Sequence, residues 1–283
     1  MKKLIHILML STTIIVSGQS SDILISKSDT LNLYSNPLEL RIDWEQLDQA
    51  IFNEIEDIRT EELKDSIIEF NPWGNYKTEW LIENDSLFLT KITSSYDSDY
   101  NVSLEKLFST SKNRIFADWL NSSLIIFSGN CIVCTGTHHK NTSIYPNEEL
   151  FDFKNGVLKK TEEYKNSVLK ESKLLSSDPN TYQNFIYQNI KWNKLPDLTN
   201  RHFQVYVSIK PGKNGKLKNI DWENTYLIDG SKLIGDPENI YIKEAVRITK
   251  KIPNWNVIIR HNKIMNQGIS IVFNEHMREK YAR

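Results

Sequence analysis

Hydrophobic and polar positions alternate most clearly in the last third of the chain. The stretch FQVYVSI at 203–209 has the two-residue period of a strand with one buried face. Asn214-Gly215 follows, a dipeptide that suits a tight turn because both residues tolerate positive φ. The apolar positions of the returning strand are Leu217, Ile220 and Trp222. This stretch therefore predicts a β-hairpin.

A helical period comes next and is followed by one more alternation. Asp236 is suited to cap a helix that has Pro237 at its first position, and Pro253 should end that helix. Its apolar face is formed by Ile242, Ala245, Val246 and Thr249. The alternation GISIVF then predicts a closing strand. With a helix after Asp178, the predicted order is helix, strand, strand, helix, strand.

Residues 178–276 resemble the C-terminal domain of TonB, the energy transducer TonB superfamily, in the form found in envelope proteins of Bacteroidetes-like bacteria. The strand FQVYVSI, the NG turn, the helix EAVRITKKIPNW and the strand GISIVF carry the resemblance. It implies a small αββαβ domain that binds a protein. It also implies that the closing strand, with Ile269, Ile271 and Phe273, is the edge to which an extended partner segment adds.

The first half of the chain has a different pattern. Asp43 and Gln46 resemble a capping box, and the helical spacing after them predicts a helix with Leu47, Ile51, Ile55 and Ile58 on one face. WLIENDSLFLTKI and FDFKNGVL each predict a hairpin, and SSLIIF predicts a strand. We therefore expect a mainly antiparallel β domain over 38–164, which resembles uncharacterised secreted Bacteroidetes proteins.

The boundaries of the predicted domains lie in polar segments. Residues 20–36 are rich in Ser, Asp and Asn and predict a tether or an edge segment. Residues 165–177 are rich in Ser and Lys and predict a linker. The fold class expected from the whole pattern is α+β, with a mainly antiparallel β domain followed by the small αββαβ TonB-like domain.

The N-terminus has the pattern of an export signal. Lys2 and Lys3 precede an apolar run, and the small residues at 16–18 suit cleavage, which predicts a signal peptide over 1–18. The apolar run is shorter than the roughly 20 residues that a spanning helix needs. We therefore expect a periplasmic or secreted protein without a transmembrane helix in the mature chain, and an uncleaved, weakly anchoring segment is the alternative.

Two cysteines and two histidines form the sharpest cluster of reactive residues. Cys131 and Cys134 are separated by two residues, and His138 and His139 follow. In an oxidising compartment this spacing favours a disulfide bond. A second interpretation is that both thiols are free, and a third is a metal or redox site that uses one of the histidines.

Other candidate chemistry is weaker. Glu148 and Glu149 lie in a polar stretch where exposure to solvent is expected, and Asp97 and Asp99 lie in another. The sequence has no nucleophile elbow, phosphate-binding loop or H-E-x-x-H motif. We therefore expect no catalytic residues, no cofactor and no enzymatic activity.

Charge and aromatic content add little to this picture. The formal net charge is −1, which gives no support for nucleic-acid binding. Four lysines near the predicted turn are expected to form a solvated hairpin tip; they are Lys210, Lys213, Lys216 and Lys218. Trp80, Trp222 and Trp255 are expected to pack in the core.

Three functions are compatible with the sequence. The first is a non-enzymatic envelope protein whose TonB-like module binds a protein partner, an outer-membrane component being one candidate, by adding a strand to its sheet. The second is a metal- or thiol-dependent enzyme or sensor that uses Cys131, Cys134 and His138 or His139. The third is a structural subunit of an assembly.

Overall fold

The chain divides into two units, Met1–Glu163 and Tyr164–Arg283. A computed structural model describes residues 22–26, 29–62, 76–94, 100–109, 111–134 and 143–282, with only the backbone described at 56–62. The predicted signal peptide at 1–18 lies outside these residues. Within the described part, no helix combines the length and the apolar character that crossing a membrane requires.

The first unit consists mostly of strands. The hairpin predicted from WLIENDSLFLTKI is confirmed, with positive φ at Asn84 and Asp85, and so is the hairpin at Asn155-Gly156. The elements are β1 (Asp22–Ser26), β2 (Asp29–Leu33), α1 (Trp44–Glu62), β3 (Tyr76–Glu83), β4 (Ser86–Ser94), α2 (Leu104–Phe108), β5 (Ile115–Phe116), β6 (Ser123–Ser128), β7 (Asn147–Lys154) and β8 (Val157–Lys165).

The sheet of the first unit closes on itself. Its strands are hydrogen-bonded in the order β3-β1-β2-β6-β7-β8-β4, and β4 pairs back with β3, so that these seven strands form a ring with β5 attached to β4. One pairing in the ring, between β1 and β3, is parallel. The closure depends on pairings between strands that are distant in the sequence.

Residues 20–36 were expected to form a tether or an edge segment, but their described strands lie inside the ring, with a neighbouring strand on each side. They contain β1 and β2, which pair with each other and connect β3 to β6 within the ring. Leu24 and Leu33 are buried in the core. The carboxylate of Asp22 accepts a hydrogen bond of 2.8 Å from the backbone N–H of Thr78. The abundance of polar residues concealed two short strands, each of which buries one leucine in the core.

The predicted helix after Asp43 is confirmed as α1. Leu47, Ile51 and Ile55 are buried at its helical spacing, as the periodicity indicated, and they pack in the same core as Trp80 and Leu89. The side chain of Ile58 lies outside the described residues. Helix α1 therefore covers part of the core of the ring with the face that the pattern predicts.

The second unit contains two sheets, three α-helices and one short 3-10 helix, Trp192–Lys194, within its described residues. In the larger sheet the strand order is β12-β11-β10-β15, and in the smaller it is β14-β13-β9. The elements are β9 (Ser167–Lys170), α3 (Pro179–Gln188), β10 (His202–Pro211), β11 (Leu217–Asp229), β12 (Lys232–Ile234), α4 (Ile240–Thr249), β13 (Val257–Arg260), β14 (Lys263–Ile264), β15 (Gln267–Asn274) and α5 (Glu275–Tyr281).

The predicted fold class was wrong in both halves. The first unit is a closed ring of seven strands with one parallel pairing, where we expected a mainly antiparallel β domain and no closure. The second unit adds β9, β12, β13, β14 and α5 to the predicted αββαβ order and forms a second sheet. Strand β9 lies in the segment 165–177, which was expected to be a linker, and pairs with β13. Both helices and strands are present, but their arrangement depends on pairings that a local period does not specify.

One core joins α3 and α4 to the larger sheet. Helix α4 packs against β10, β11 and β15, and its buried residues include Ile242 and Ala245. The helix begins at Ile240, where the side chain of Asn239 accepts hydrogen bonds from the first-turn amides. The cap predicted at Asp236 was therefore misplaced by one turn, because Asn can cap as well as Asp.

Candidate functional site

Strand β15 lies at one end of the larger sheet. It pairs with β10 in an antiparallel register from His202 opposite Asn274 to Ile209 opposite Gln267. Within the described residues, no other strand pairs with its outer edge. The strand named by the sequence resemblance is therefore a sheet edge.

The three residues predicted for this edge point their side chains into the core. Ile271 and Phe273 are fully buried and Ile269 is 5% exposed. Phe273 packs edge-on against Trp192, with ring centroids 6.1 Å apart. A partner strand at this edge would therefore contact backbone groups, and the buried side chains would hold β15 in place.

A hydrogen bond from Val272 shows which backbone groups face outward. The N–H of Val272 donates to the hydroxyl oxygen of Tyr187, at the end of α3, over 3.2 Å. Because backbone groups in an antiparallel pair point alternately toward and away from the neighbouring strand, Gly268 and Ser270 also direct their N–H and C=O groups away from β10. Both residues are exposed.

Tyr187 is held in position by the C-terminal helix. Its ring stacks on Tyr281 of α5 at 5.3 Å between centroids, and the hydroxyl of Tyr281 donates to Asn184 over 3.2 Å. Burial raises the pKa of the Tyr187 hydroxyl. The hydroxyl is therefore neutral at pH 7 and acts as an acceptor for Val272 without introducing a charge at the edge.

The exposed face beside this edge is polar and aromatic. Gln204 donates to the hydroxyl of Ser270 over 2.6 Å. Tyr206 lies over Gly268 so closely that a Cβ at Gly268 would collide with the ring. Tyr206 also packs against Tyr226 at 5.5 Å. Glycine at this position therefore allows an aromatic side chain to lie across the edge strand.

The cysteine pair lies in the first unit, after β6. Cys131 and Cys134 are joined by a disulfide bond, with their Cα atoms 5.5 Å apart. The residues between them bond to Ile144, whose N–H donates to the carbonyl of Val133 over 2.9 Å. The disulfide therefore braces a bend that is already held by backbone hydrogen bonds.

The proposed metal ligands are not assembled in the described residues. A disulfide provides no thiolate to bind a metal ion, and His138 and His139 lie outside the described residues. In the part of the chain that the structure describes, no group of three or more His, Cys, Asp or Glu side chains is placed to hold a metal ion.

The carboxylates at the start of β7 differ from expectation. Glu148 was expected to be exposed but is buried, and it accepts a hydrogen bond from the N–H of Tyr145 over 3.3 Å. Burial, and then the charge of Glu163, raises the pKa of Glu149. The burial of Glu148 and its hydrogen bond from Tyr145 favour a structural role for this carboxylate. Asp97 and Asp99 lie outside the described residues.

Comparisons with known proteins give no relative. No family model matches the chain, and neither a curated protein nor a solved structure matches it significantly.

Proposed function

We propose that this protein is a non-enzymatic binding protein of the bacterial envelope that takes up an extended segment of a partner protein at β15. The observation that carries the proposal is the outward orientation of the Gly268 and Ser270 backbone on a terminal strand. Unpaired N–H and C=O groups at a sheet edge accept an added strand because it replaces water in their hydrogen bonds.

The surroundings of β15 support this use. Buried side chains at Ile269, Ile271 and Phe273 fix the strand, so its outer backbone is ordered before a partner arrives. Tyr187 occupies the N–H of Val272, which limits the open part of the edge to residues around 268–270. The resemblance of residues 178–276 to the TonB C-terminal domain points to the same strand, and the export signal pattern supports the envelope location.

A proline substitution at Ser270 tests the proposal. The Ser270 N–H points away from β10, so Ser270→Pro removes one donor from the outer edge and leaves the ladder to β10 intact. Ser270→Ala is the matched control, since it loses the hydroxyl bonded to Gln204 but keeps the N–H. Ile271→Pro is unsuitable because the N–H of Ile271 faces β10 and its loss would unfold the sheet.

The measurement has two stages. Tagged protein captures partners from native envelope extract, and the purified partner is then titrated against wild type, Ser270→Ala and Ser270→Pro. We expect Ser270→Ala to bind like wild type and Ser270→Pro to bind at least about tenfold more weakly, which is about 1.4 kcal/mol. In the wild-type complex, hydrogen exchange at the Ser270 amide should slow. Equal binding by a folded Ser270→Pro variant would rule out this edge.

A further inference from the structure

A basic cleft lies at the opposite end of the larger sheet from β15. It is open to solvent, has a volume of about 820 Å³, and lies between the first half of β11 and the segment that follows α4. Its lining residues are Lys216, Leu217, Lys218, Asn219, Ile220, Trp222, Lys250, Lys251, Ile252 and Pro253. In the described structure this lining contains four lysines and no acidic side chain, although the chain as a whole has a net charge of −1.

Trp222 provides an exposed aromatic surface in this cleft. We expected it in the core, but its side chain is 45% exposed. The register of the hairpin explains the difference. Tyr206 of β10 pairs with Tyr226 of β11, and Ser208 pairs with Asp221. Between these two pairs β10 has one residue, whereas β11 has four, residues 222–225. This bulge displaces Trp222 from the alternation that the sequence indicated.

A polar network fixes the bulge. The carboxylate of Asp221 accepts hydrogen bonds from Asn224 at 3.0 Å, Ser208 at 3.2 Å and Asn266 at 2.9 Å. The bond from Asn224 is the largest of the effects that hold the pKa of Asp221 below its ordinary value. The buried hydroxyl of Thr225 donates to the carbonyl of Asp221 over 2.7 Å. Trp222 is therefore held outward by a bulge that these hydrogen bonds fix.

The four ammonium groups divide into two kinds. Lys216 donates to the carbonyl of Pro253 over 2.9 Å, and Lys251 donates to the amide oxygen of Asn189 over 2.8 Å. Lys218 and Lys250 are exposed, and their ammonium groups have no hydrogen-bond or ion-pair partner among the described residues. These two cations lie in the lining of the cleft and are available to a negatively charged ligand.

The cleft also runs along an unpaired strand edge. β12 pairs with β11 only at Leu227, Ile228 and Asp229. Within the described residues, the earlier half of β11 has β10 on one side and no strand on the other. A peptide could bond to this backbone as an added strand, whereas a polysaccharide or a nucleic acid has no matching pattern of alternating donors and acceptors.

We propose that this cleft binds an extended acidic peptide segment. Its carboxylates contact Lys218 and Lys250, one apolar side chain packs on Trp222, and its backbone extends the sheet beside residues 217–221. The site does not depend on the β15 edge, because it lies at the opposite edge of the larger sheet and uses different residues.

The test measures binding of a short fluorescent peptide of alternating glutamate and valine by anisotropy. The same peptide with lysine for glutamate, a heparin-derived oligosaccharide and a single-stranded oligonucleotide are run beside it. We expect the acidic peptide to bind most tightly and the lysine peptide not to bind. Binding should weaken between low and high salt, because the screening length falls from about 10 Å at 0.1 M to about 3 Å at 1 M.

Variants on the cleft complete the test. We expect the double variant Lys218→Glu, Lys250→Glu to bind at least about tenfold more weakly, and Trp222→Ala to lose a similar factor. The control is Lys173→Glu, Lys232→Glu, which reverses two exposed lysines outside the cleft lining and should bind like wild type. Ser270→Pro should also bind this peptide normally, which separates this site from the β15 edge.

Two results would overturn the proposal. One is equal binding of the acidic peptide by the cleft variant and by the control variant, with circular dichroism showing both to be folded. The other is tighter binding of the oligosaccharide or the oligonucleotide than of the acidic peptide, since either would assign the cleft to a different polyanion.

Discussion

The hydroxyl of Tyr187 accepts a hydrogen bond from the backbone N–H of Val272 across 85 positions of sequence, at 3.2 Å. The contact places the end of α3 over the outer edge of β15. It satisfies an amide that a partner strand would otherwise use. Tyr187 therefore sets how much of this edge is open.

Replacing Tyr187 with phenylalanine should open the edge further. The loss of this hydrogen bond should lower the free energy of unfolding by about 0.5–1.5 kcal/mol, and the Val272 amide should exchange with solvent faster. If β15 binds a partner strand, affinity should rise, because one more donor is available. Amide exchange followed by NMR measures the first effect. Tyr182→Phe, a half-buried tyrosine of the same helix, is the control, and unchanged exchange at Val272 in Tyr187→Phe would contradict the assignment.

An ion pair on α4 should contribute strongly to stability. Glu244 accepts hydrogen bonds from Arg247 at 2.6 Å and from the N–H of Lys191 at 2.6 Å, and its side chain is only 10% exposed. Arg247→Met leaves this carboxylate without its charged partner and should lower the free energy of unfolding by about 2–3 kcal/mol. Urea denaturation measures this loss of unfolding free energy. Lys243→Met, on the same helix, breaks an exposed pair with Glu238, which precedes the helix, and should change stability by less than about 1 kcal/mol.

The same carboxylate should make stability depend on pH. Burial acts to raise the pKa of Glu244, but hydrogen bonds from Arg247 and Lys191 outweigh it and lower that pKa. A lowered folded-state pKa gives stability that is present above the unfolded value of about 4.3 and is lost as pH falls through the folded value. The stability difference between wild type and Glu244→Gln should therefore be constant near neutral pH and shrink below about pH 4. A difference that grows with acidity would contradict this.

Truncation of two tryptophans in the second unit should lower the free energy of unfolding by very different amounts. Trp255 is fully buried, so Trp255→Ala should cost about 3–5 kcal/mol of unfolding free energy. Trp222 is 45% exposed and lies outside the core, so Trp222→Ala should cost less than about 0.5 kcal/mol. Denaturant titration of the two variants compares them directly. A large loss for Trp222→Ala would show that its ring is packed and not available to a ligand.

The disulfide should have a small effect on the fold. Because Cys131 and Cys134 are separated by only three positions, the bond restricts little of the unfolded chain, and its loss should cost at most about 2 kcal/mol. The variant Cys131→Ser, Cys134→Ser should keep the wild-type circular dichroism spectrum. Wild type treated with a reductant should match it in melting temperature. Unfolding of either sample at room temperature would show a larger role.

The sequence by itself determined the local elements of this protein. The alternation in FQVYVSI and GISIVF gave β10 and β15, and the spacing after Asp43 gave α1, because each pattern follows from the geometry of one element. The disulfide bond predicted between Cys131 and Cys134 likewise depended only on their spacing and on the oxidising compartment that the export signal predicts. The cap at Asn239, one turn from the predicted one, shows that local signals fix boundaries less well.

The tertiary structure alone decided how those elements pair and what they expose. The ring closes through a parallel pairing of β1 with β3, and Tyr187 reaches Val272 from a distant helix. Lys218 and Lys250 line one cleft although they are far apart in the sequence, and a bulge turns Trp222 outward. A local hydrophobic period cannot encode these relations, because each is set by which strands pair, in which register, and by packing between residues far apart in the chain.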